Sequence, residues 1–418
     1  MMNALWHPFA DMSVSAEKKV VLQRGEGCHV WDETGNEYLD ATAGLWFCNV
    51  GYGRRDLIEK ATQQMGRLPA YSTFDVYANR PALELANRIA AHSPTDGPTG
   101  VFFTSGGSDA VDTAAKIARR YWQVAGEPER TVIISRDHAY HGVNAYGTSL
   151  SGIPANAEGW GPLVTDVVRV PADDTAALER ALEEHAGRVA AFIGEPVIGA
   201  GGVRPPRDGY WARVQELCRR DGVLLIADEV ITGFGRLGTW FACEHYGIAP
   251  DMITGAKGVT SGYMPLGFVA AGDRVRSLLW EDGGVFRHGY TYSGHPVACA
   301  VGLANLELIE IESLRPRVEA LAPVLAQVLD GLADLPGVAA VRSAGLLGAV
   351  ELAGAAEDPA LPGQVVAAMR ERGVLIRALA GGSLQISPSF VVSEVELARI
   401  GETIASALDV VAAAEVGG

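Results

Sequence analysis

Short runs of uninterrupted apolar residues alternate with segments of helical periodicity from about residue 80 to residue 271. Runs in which every position is apolar are typical of parallel strands that are covered on both faces. They lie at residues 101–103, 132–134, 189–193, 223–227, 252–253 and 267–271. Strands that alternate with helices in this way predict a layered α/β domain with a mostly parallel sheet between helices.

The two ends of the chain show another pattern. Residues 28–31 and 38–41 flank a turn in which Gly35 and Asn36 tolerate positive φ, which predicts a β-hairpin. After about residue 305, long amphipathic helices are predicted over 306–335 and 394–413, with short strands at 348–352, 374–377 and 384–386. We therefore predict a large domain over residues 59–304 and a smaller α/β domain formed by residues 1–58 and 305–418.

Composition excludes several classes of protein. Of the 418 residues, 48% are hydrophobic and 20% are charged, as in ordinary globular proteins. A net charge of −16 argues against a nucleic-acid partner, because phosphates need a basic surface. No apolar run is long enough for a membrane span, and the first residues lack the pattern of a signal peptide. Five scattered cysteines without a C-x-x-C pair favour reduced thiols, so we expect a cytoplasmic protein.

Lysine is rare in this chain, which makes Lys257 conspicuous. The sequence has five lysines against 29 arginines, and Lys257 is the only lysine after residue 116. It lies in an apolar, glycine-rich stretch at residues 252–262. Lysine can lose its proton, attack a carbonyl and form an imine, whereas arginine stays protonated. We interpret Lys257 as a catalytic amine; the alternative is an ordinary surface lysine.

A glycine loop joins the apolar run 101–103 to the helix that follows it. The loop contains Gly106, Gly107 and Ser108. Unpaired N–H groups at such a helix start, together with the helix dipole, can bind a phosphate. The loop matches neither the dinucleotide fingerprint nor the Walker pattern. Taken alone, the glycines could be purely structural.

Asp228 ends the apolar run 223–227, at the edge where α/β sheets bind ligands. A buried carboxylate there needs a cation or hydrogen-bond donors, and a protonated pyridine nitrogen would serve. Strand alternation places Val230 on the same face, where it could pack beneath a ring, and Glu229 on the other face. The alternative for Asp228 is a cap for the next loop.

Other candidates follow neighbouring strands or enter a helix. They are Tyr140 and His141 after the run 132–134, Glu195 at the end of 189–193, and Thr291 in the loop 289–296. Tyr140 could stack on a flat cofactor, although core or loop packing is the more common explanation for such a residue on its own. Glu195 could be a solvated carboxylate and Thr291 a helix cap. No ligand set with metal spacing includes His138 or His141, so we expect no metal. Together, a phosphate cradle, a stacking aromatic ring, an acid and one lysine are what pyridoxal phosphate requires.

The motifs resemble those of class III, or ω-, aminotransferases, which are fold-type-I enzymes that use pyridoxal phosphate. The resemblance covers nearly the whole chain and rests on residues 44–46, 49–53, 140–142, 195–196, 228–236, 256–258 and 290–297. Its most specific part is the run 228–236 with a lysine 29 residues after Asp228. The glycine loop departs slightly from the family, since Asp109 stands where a glutamate is usual. We expect Asp109 to serve the helix start, away from the phosphate.

The resemblance implies a role for each candidate residue. Lys257 would carry the cofactor as a Schiff base, and Asp228 would pair with the ring nitrogen. The ring would lie between Tyr140 and Val230. The remaining cofactor-binding positions would be Gly107, Ser108, His141 and Glu195, with Thr291 reaching the phosphate from the neighbouring subunit of a homodimer.

Within the family the chain most resembles the ω-amino acid:pyruvate and amine:pyruvate aminotransferases, on residues 43–46, 141–148, 375–377 and 384–388. By that likeness Trp46 would line the substrate pocket and Arg377 would bind a substrate carboxylate. The plain alternatives are core packing for Trp46 and a solvated strand end for Arg377.

The implied reaction is a ping-pong transfer of an amino group from an amine or an ω-amino acid such as β-alanine to a keto acid, with pyruvate as the expected acceptor. A decarboxylase or an aminomutase-type enzyme of the same fold is the alternative, because these residues commit the site to a carbanion but not to the bond that breaks. A protein that binds the cofactor without turnover fits less well, since lysine and acid are both present. A dehydrogenase would need a dinucleotide loop, which the sequence lacks.

Overall fold

A computed structural model describes residues 4–15 and 19–416. The strands are β1 (Leu22–Glu26), β2 (His29–Asp32), β3 (Glu37–Asp40), β4 (Gly100–Thr104), β5 (Val132–Arg136), β6 (Val167–Val170), β7 (Val189–Gly194), β8 (Leu224–Asp228), β9 (Met252–Gly255), β10 (Gly267–Ala271), β11 (Val338–Ala344), β12 (Leu347–Leu352), β13 (Val374–Leu375), β14 (Arg377–Leu379) and β15 (Ser383–Ile386).

The helices are α1 (Met12–Ser15), α2 (Ala43–Trp46), α3 (Arg55–Arg67), α4 (Arg80–His92), α5 (Gly107–Val124), α6 (Ala145–Leu150), α7 (Thr175–Glu184), α8 (Tyr210–Arg220), α9 (Ala242–Tyr246), α10 (Asp273–Glu281), α11 (Pro296–Ile311), α12 (Leu314–Asp330), α13 (Leu361–Glu371) and α14 (Glu394–Val416), with 3₁₀ turns at Pro154–Ala157 and Lys257–Val259. Within the described residues, none of these helices combines the length and the apolar character that a bilayer span requires.

The central sheet has the order β4-β10-β9-β8-β7-β5-β6. The predicted strands are present, and β9, β8, β7, β5 and β6 run parallel to one another. One prediction of direction was wrong: β10 is antiparallel to both of its neighbours. Only residues 256–266 join it to β9, fewer than the dozen or more that a parallel crossover usually needs. The sequence analysis missed β6, because Arg169 interrupts this half-exposed edge strand.

Both faces of the sheet are covered, which explains the uninterrupted apolar runs. Phe192 and Leu225 pack into one core with Trp211 of α8. The next residues along the same strands, Ile193 and Ile226, pack into a second core with α5. Successive side chains of a strand point to opposite faces, so neither face can be polar.

Two four-stranded sheets lie outside the central one, in the orders β1-β2-β3-β13 and β11-β12-β15-β14. The predicted hairpin is β2 and β3, with Gly35 at a φ of 91° in its turn. The predicted strand 374–377 is two strands, because β13 pairs in parallel with β3 while β14 pairs with β15. The first sheet therefore unites both ends of the chain. The domain boundaries near residues 58 and 304 stay a prediction.

The helical region predicted over 306–335 is divided between α11 and α12. The break falls at Ser313, whose φ is 51°, in the left-handed region. A residue in that conformation cannot continue an α-helix, so the chain changes direction there. The helix predicted over 394–413 is present as α14.

Candidate active site

Parallel strands bring their carboxyl ends to one edge of a sheet, and that edge carries most of the candidate residues. A cavity of about 130 Å³ opens there. Its lining comes from the segments that follow β5, β7, β8 and β9 and from the start of α5: Gly107, Ser108, Val111, Tyr140, His141, Gly142, Glu195, Asp228, Val230, Ile231 and Lys257. The topology thus collects residues that are up to 150 positions apart in the sequence.

Asp228 is buried at the end of β8 and accepts three hydrogen bonds. His141 donates from Nδ1 to Oδ2 at 2.7 Å, while Thr254 Oγ1 and the Val230 N–H donate to Oδ1 at 3.0 and 3.1 Å. A carboxylate is costly to bury unless it is satisfied in this way. The Nε2 atom of His141 is buried and has no partner among the described residues. The three hydrogen bonds to Asp228 hold its carboxylate in one position at the cavity wall.

Lys257 lies at the first position of the 3₁₀ turn after β9, with a φ of 45°. Burial lowers the pKa of its amine to about 8, although Asp228 and Glu195 act in the opposite direction. At that pKa about one-tenth of the amines are neutral at pH 7. A nucleophilic amine is therefore available without a separate base.

The start of α5 forms a cradle that has no room for larger residues. A Cβ atom at Gly107 would lie 2.8 Å from Val230 Cγ1, and one at Gly142 would lie 2.5 Å from Ser108 Oγ. Ser108 Oγ accepts a hydrogen bond from the Val143 N–H at 3.1 Å, which leaves its own proton free to donate. The helix N-terminus and this hydroxyl form an electropositive corner suited to an anion.

Glu195 ties two loops of the site together. Its carboxylate accepts from the Tyr140 N–H at 3.1 Å and from the Gly199 N–H at 3.0 Å. Burial raises the pKa of this carboxyl, while the charge of His141 lowers it. Burial also raises the pKa of the Tyr140 phenol. Glu195 therefore fixes the backbone that carries Tyr140 at the cavity.

Two basic side chains lie near the ring of Trp46. The Lys257 Nζ atom is 5.6 Å from the centre of its ring, and the Arg377 Cζ atom is 5.5 Å from it. Arg377 is half-buried and has no carboxylate within 4.0 Å in the part of the chain that the structure describes. Burial lowers the pKa of its guanidinium. An unpaired, partly desolvated arginine beside the cavity is well suited to an anionic ligand.

Two further expectations concern Thr291 and Asp109. Thr291 is exposed and does not line the cavity of its own chain, so its predicted role from a neighbouring subunit stays a prediction. Asp109 lies in the first turn of α5, and its carboxylate accepts a hydrogen bond from Asn144 Nδ2 at 3.0 Å; its expected service to the helix dipole stays a prediction.

The sequence analysis missed Thr254, which anchors Asp228, and Gly142 and Ile231, which line the cavity. A signal for Thr254 existed, because it is the next-to-last residue of β9 and pairs with Asp228 in the register of the two strands. Gly142 and Ile231 have no such signal, since loop residues face the cavity only through the tertiary structure.

Comparisons with known proteins agree on one family. A family model described as aminotransferase class-III matches residues 12–408. Putrescine–pyruvate aminotransferase of Pseudomonas aeruginosa is 42% identical over 365 residues, which are 82% of this chain and 80% of that protein. β-Alanine–pyruvate aminotransferase of the same organism is 36% identical and covers 98% of this chain and 96% of its own length.

Solved structures give the same result. A thermostable (S)-enantioselective ω-transaminase from Thermomicrobium roseum superposes with a TM-score of 0.93 at 42% identity, covering 96% of this chain and 95% of its own. An ω-transaminase from Pseudomonas jessenii, solved in complex with PMP, superposes with a TM-score of 0.92 at 34% identity, covering 97% and 96%.

Proposed function

This chain belongs to the class III aminotransferases, and we propose that it transfers an amino group from an amine or an ω-amino acid to pyruvate, with pyridoxal phosphate bound at Lys257. The observation that carries this proposal is the cavity that joins Lys257, Asp228 and the start of α5. Members of the family depend on pyridoxal phosphate, so the fit of that group to these residues can be argued atom by atom.

The cavity offers a partner for each part of the cofactor. The start of α5 and Ser108 would hold the phosphate, and the Asp228 carboxylate would hold a protonated ring nitrogen. Tyr140 and Val230 would lie on the two faces of the ring. A Cβ atom at Gly107 or Gly142 would fill part of this space, which supports a site shaped for a bound group.

Pyridoxal phosphate, when bound, supplies an electron sink for the carbanion that forms at the substrate carbon. The protein must then hold and move protons. Asp228 would keep the ring nitrogen protonated, and His141 and Thr254 hold the Asp228 carboxylate in place. Lys257, with a pKa of about 8, is well matched to accept and return the proton at the substrate carbon.

The choice of substrate rests on Arg377 and Trp46. An unpaired guanidinium that lies against the Trp46 ring can bind the carboxylate of pyruvate or of an ω-amino acid. An amine without a carboxylate would occupy the pocket only if the Arg377 guanidinium turned away from it. Relatives named for β-alanine and putrescine with pyruvate support both kinds of donor.

Transamination accounts for this site better than decarboxylation or an aminomutase reaction, because the family model and the named relatives are aminotransferases. We also propose a homodimer in which Thr291 of each chain completes the phosphate site of the other. Its support is that Thr291 is exposed and outside its own cavity. A cytoplasmic location stays a prediction from the cysteine pattern.

The direct test is to reduce the enzyme loaded with pyridoxal phosphate with borohydride and to map the modified peptide. We expect a pyridoxyl adduct on Lys257 that is absent from Lys257→Ala. The control is Lys60→Ala, which removes an exposed lysine of α3 and should keep the adduct. An adduct on another lysine, with Lys257 unmodified, would overturn the proposal.

A further inference from the structure

The loop that carries Thr291 is fastened to α5 by a continuous chain of hydrogen bonds. Lys116 Nζ lies 2.9 Å from His288 Nδ1, and His288 Nε2 lies 2.8 Å from Thr113 Oγ1. Thr113 Oγ1 lies 3.3 Å from the Tyr290 hydroxyl, which lies 3.2 Å from the Asp109 carbonyl oxygen. The α5 residues are spaced four and three apart, so they form one stripe of the helix.

The direction of every bond in this chain follows from its two ends. A lysine ammonium can only donate and a carbonyl oxygen can only accept. His288 therefore accepts at Nδ1 and carries its proton on Nε2, which donates to Thr113. Thr113 then donates to Tyr290, and Tyr290 donates to the Asp109 carbonyl. Each hydrogen bond of the chain therefore has one direction, which favours one position of the loop on the helix.

The other side of Thr291 is fastened as well. The carbonyl oxygen of Ser293 accepts from Thr73 Oγ1 at 2.9 Å, and that of Gly294 accepts from Asn79 Nδ2 at 2.8 Å. Tyr290 and Ser293 also close a tight turn, with the Ser293 N–H donating to the Tyr290 carbonyl at 3.0 Å. Thr291 lies at the exposed tip of this turn.

Aromatic rings surround the imidazole and limit its movement. His288 stacks on Phe102 of β4 with ring centres 5.6 Å apart and planes at 12°, and it meets Phe286 edge-on at 5.5 Å. Burial, followed by the charge of Lys116, lowers the pKa of His288, in agreement with a neutral ring that accepts from the ammonium.

We propose that His288 is a positioning residue that sets the place of Thr291 and thereby the cofactor affinity of the neighbouring subunit. The inference rests on the proposed role of Thr291 across the dimer. Because α5 also begins with the phosphate cradle of its own chain, one helix holds a cradle at its start and the neighbour's phosphate ligand along its side. The two cofactor sites of the dimer are thus linked through Thr113 and Lys116.

The test compares pyridoxal phosphate affinity, from absorbance titration of the apo dimer, in four variants. His288→Phe keeps the aromatic stack and loses both hydrogen bonds, and His288→Gln restores an acceptor and a donor. Thr291→Ala removes the proposed phosphate ligand, and the fourth variant combines His288→Phe with Thr291→Ala. His185→Phe, at the half-buried residue that follows the last residue of α7, is the matched control.

We expect His288→Phe and Thr291→Ala each to weaken binding about tenfold, the size of one hydrogen bond to a charged group. The double variant should bind no more weakly than Thr291→Ala alone, and His288→Gln should recover most of the affinity. His185→Phe should match the wild type. Melting temperatures of the apo proteins show whether a variant is destabilised. His288→Phe should weaken cofactor binding while the melting temperature of its apo form stays close to that of the wild type.

Additive losses in the double variant, or normal affinity in His288→Phe, would overturn the inference and leave the Lys257 chemistry untouched. Normal affinity in Thr291→Ala would remove the role on which the inference rests. A failure of the proposed function would be recognised by a different result, because borohydride would then leave Lys257 unmodified.

Discussion

His141 donates a hydrogen bond of 2.7 Å from Nδ1 to Oδ2 of Asp228, and both side chains are buried. A buried carboxylate needs hydrogen-bond donors to offset the water that it has lost. Thr254 and the Val230 N–H occupy the other oxygen. The negative charge, and not merely the shape of the side chain, is what we expect the cofactor ring to require.

Asp228→Asn should therefore lose transamination by a factor of about 10³ and retain pyridoxal phosphate poorly, because the amide cannot keep the ring nitrogen protonated. Thr254→Val removes one hydrogen bond and keeps the charge, so a loss of about tenfold is expected. The measurement is the single-turnover rate with an amine donor. Equal losses in both variants would show that geometry, not charge, is the decisive property of Asp228.

Lys257 should make apo-protein stability depend on pH. Its pKa is about 8 in the folded chain and about 10.4 unfolded. Between these values the unfolded state binds more protons, so the free energy of unfolding rises with pH from about 8 to about 10.4. Lys257→Met removes the buried ammonium and should stabilise the apo protein at pH 7 by roughly 1–3 kcal/mol. Urea unfolding at pH 7 and pH 9.5 measures both effects; a constant difference would contradict the prediction.

Arg377→Ala should separate donors by their charge. The kcat/KM for an ω-amino acid should fall by about tenfold to a hundredfold, because a charged hydrogen bond is lost. The kcat/KM for an uncharged amine should hardly change. The control is Arg372→Ala, at the end of α13, where the guanidinium bonds to Ser406 and a helix carbonyl. Equal losses for both donors would remove Arg377 from carboxylate binding.

Trp46 combines packing with substrate contact. Its ring is buried with Ile231, Val197 and Leu379 and faces Arg377. Trp46→Ala should cost about 3–5 kcal/mol of unfolding free energy and should admit bulkier amines than the wild type. Trp46→Phe should keep most of both properties. Rates with a series of amines of increasing size, together with urea unfolding, would show whether the two effects occur in the same variant.

The sequence predicted those features that depend on residues close to one another along the chain. The apolar runs predicted the central strands because both sheet faces are covered, and Asp228 was predicted because it ends one of those runs. The direction of β10 was not predictable in the same way, since a run of apolar residues does not indicate whether a strand is parallel or antiparallel to its neighbours. Only the short connection over residues 256–266 would have indicated it.

Other features depend on contacts that no local pattern reports. One partner of His288 is Lys116, 172 residues earlier, and nothing near either residue identifies the other. Asp109 lies in the first turn of α5, and its carboxylate also binds Asn144, 35 residues later, a contact that no local pattern indicates. A sequence predicts which groups need partners more reliably than it predicts the partners.

Acid should weaken the attachment of the loop that carries Thr291, because His288 can take up a proton. His288 is neutral while it accepts from Lys116, and burial and Lys116 lower its pKa from 6.5. The groups that face it are Lys116, Thr113 and Asp109 on α5, Tyr290 in its own loop and the uncharged Phe102 on β4. Because the folded pKa is lowered, the stability that His288 contributes is complete above pH 6.5 and is lost as the pH falls through the folded pKa.

Once protonated, the ring loses its acceptor and repels the Lys116 ammonium, so the loop that carries Thr291 should loosen. Pyridoxal phosphate should therefore dissociate faster from the wild-type dimer at pH 5.5 than at pH 7.5. His288→Gln cannot take up a proton, and its ratio of the two dissociation rates should be several times smaller. Stopped-flow measurements of cofactor release in both proteins test this directly. Identical pH profiles would assign the acid sensitivity to other groups, with His288 playing no part in it.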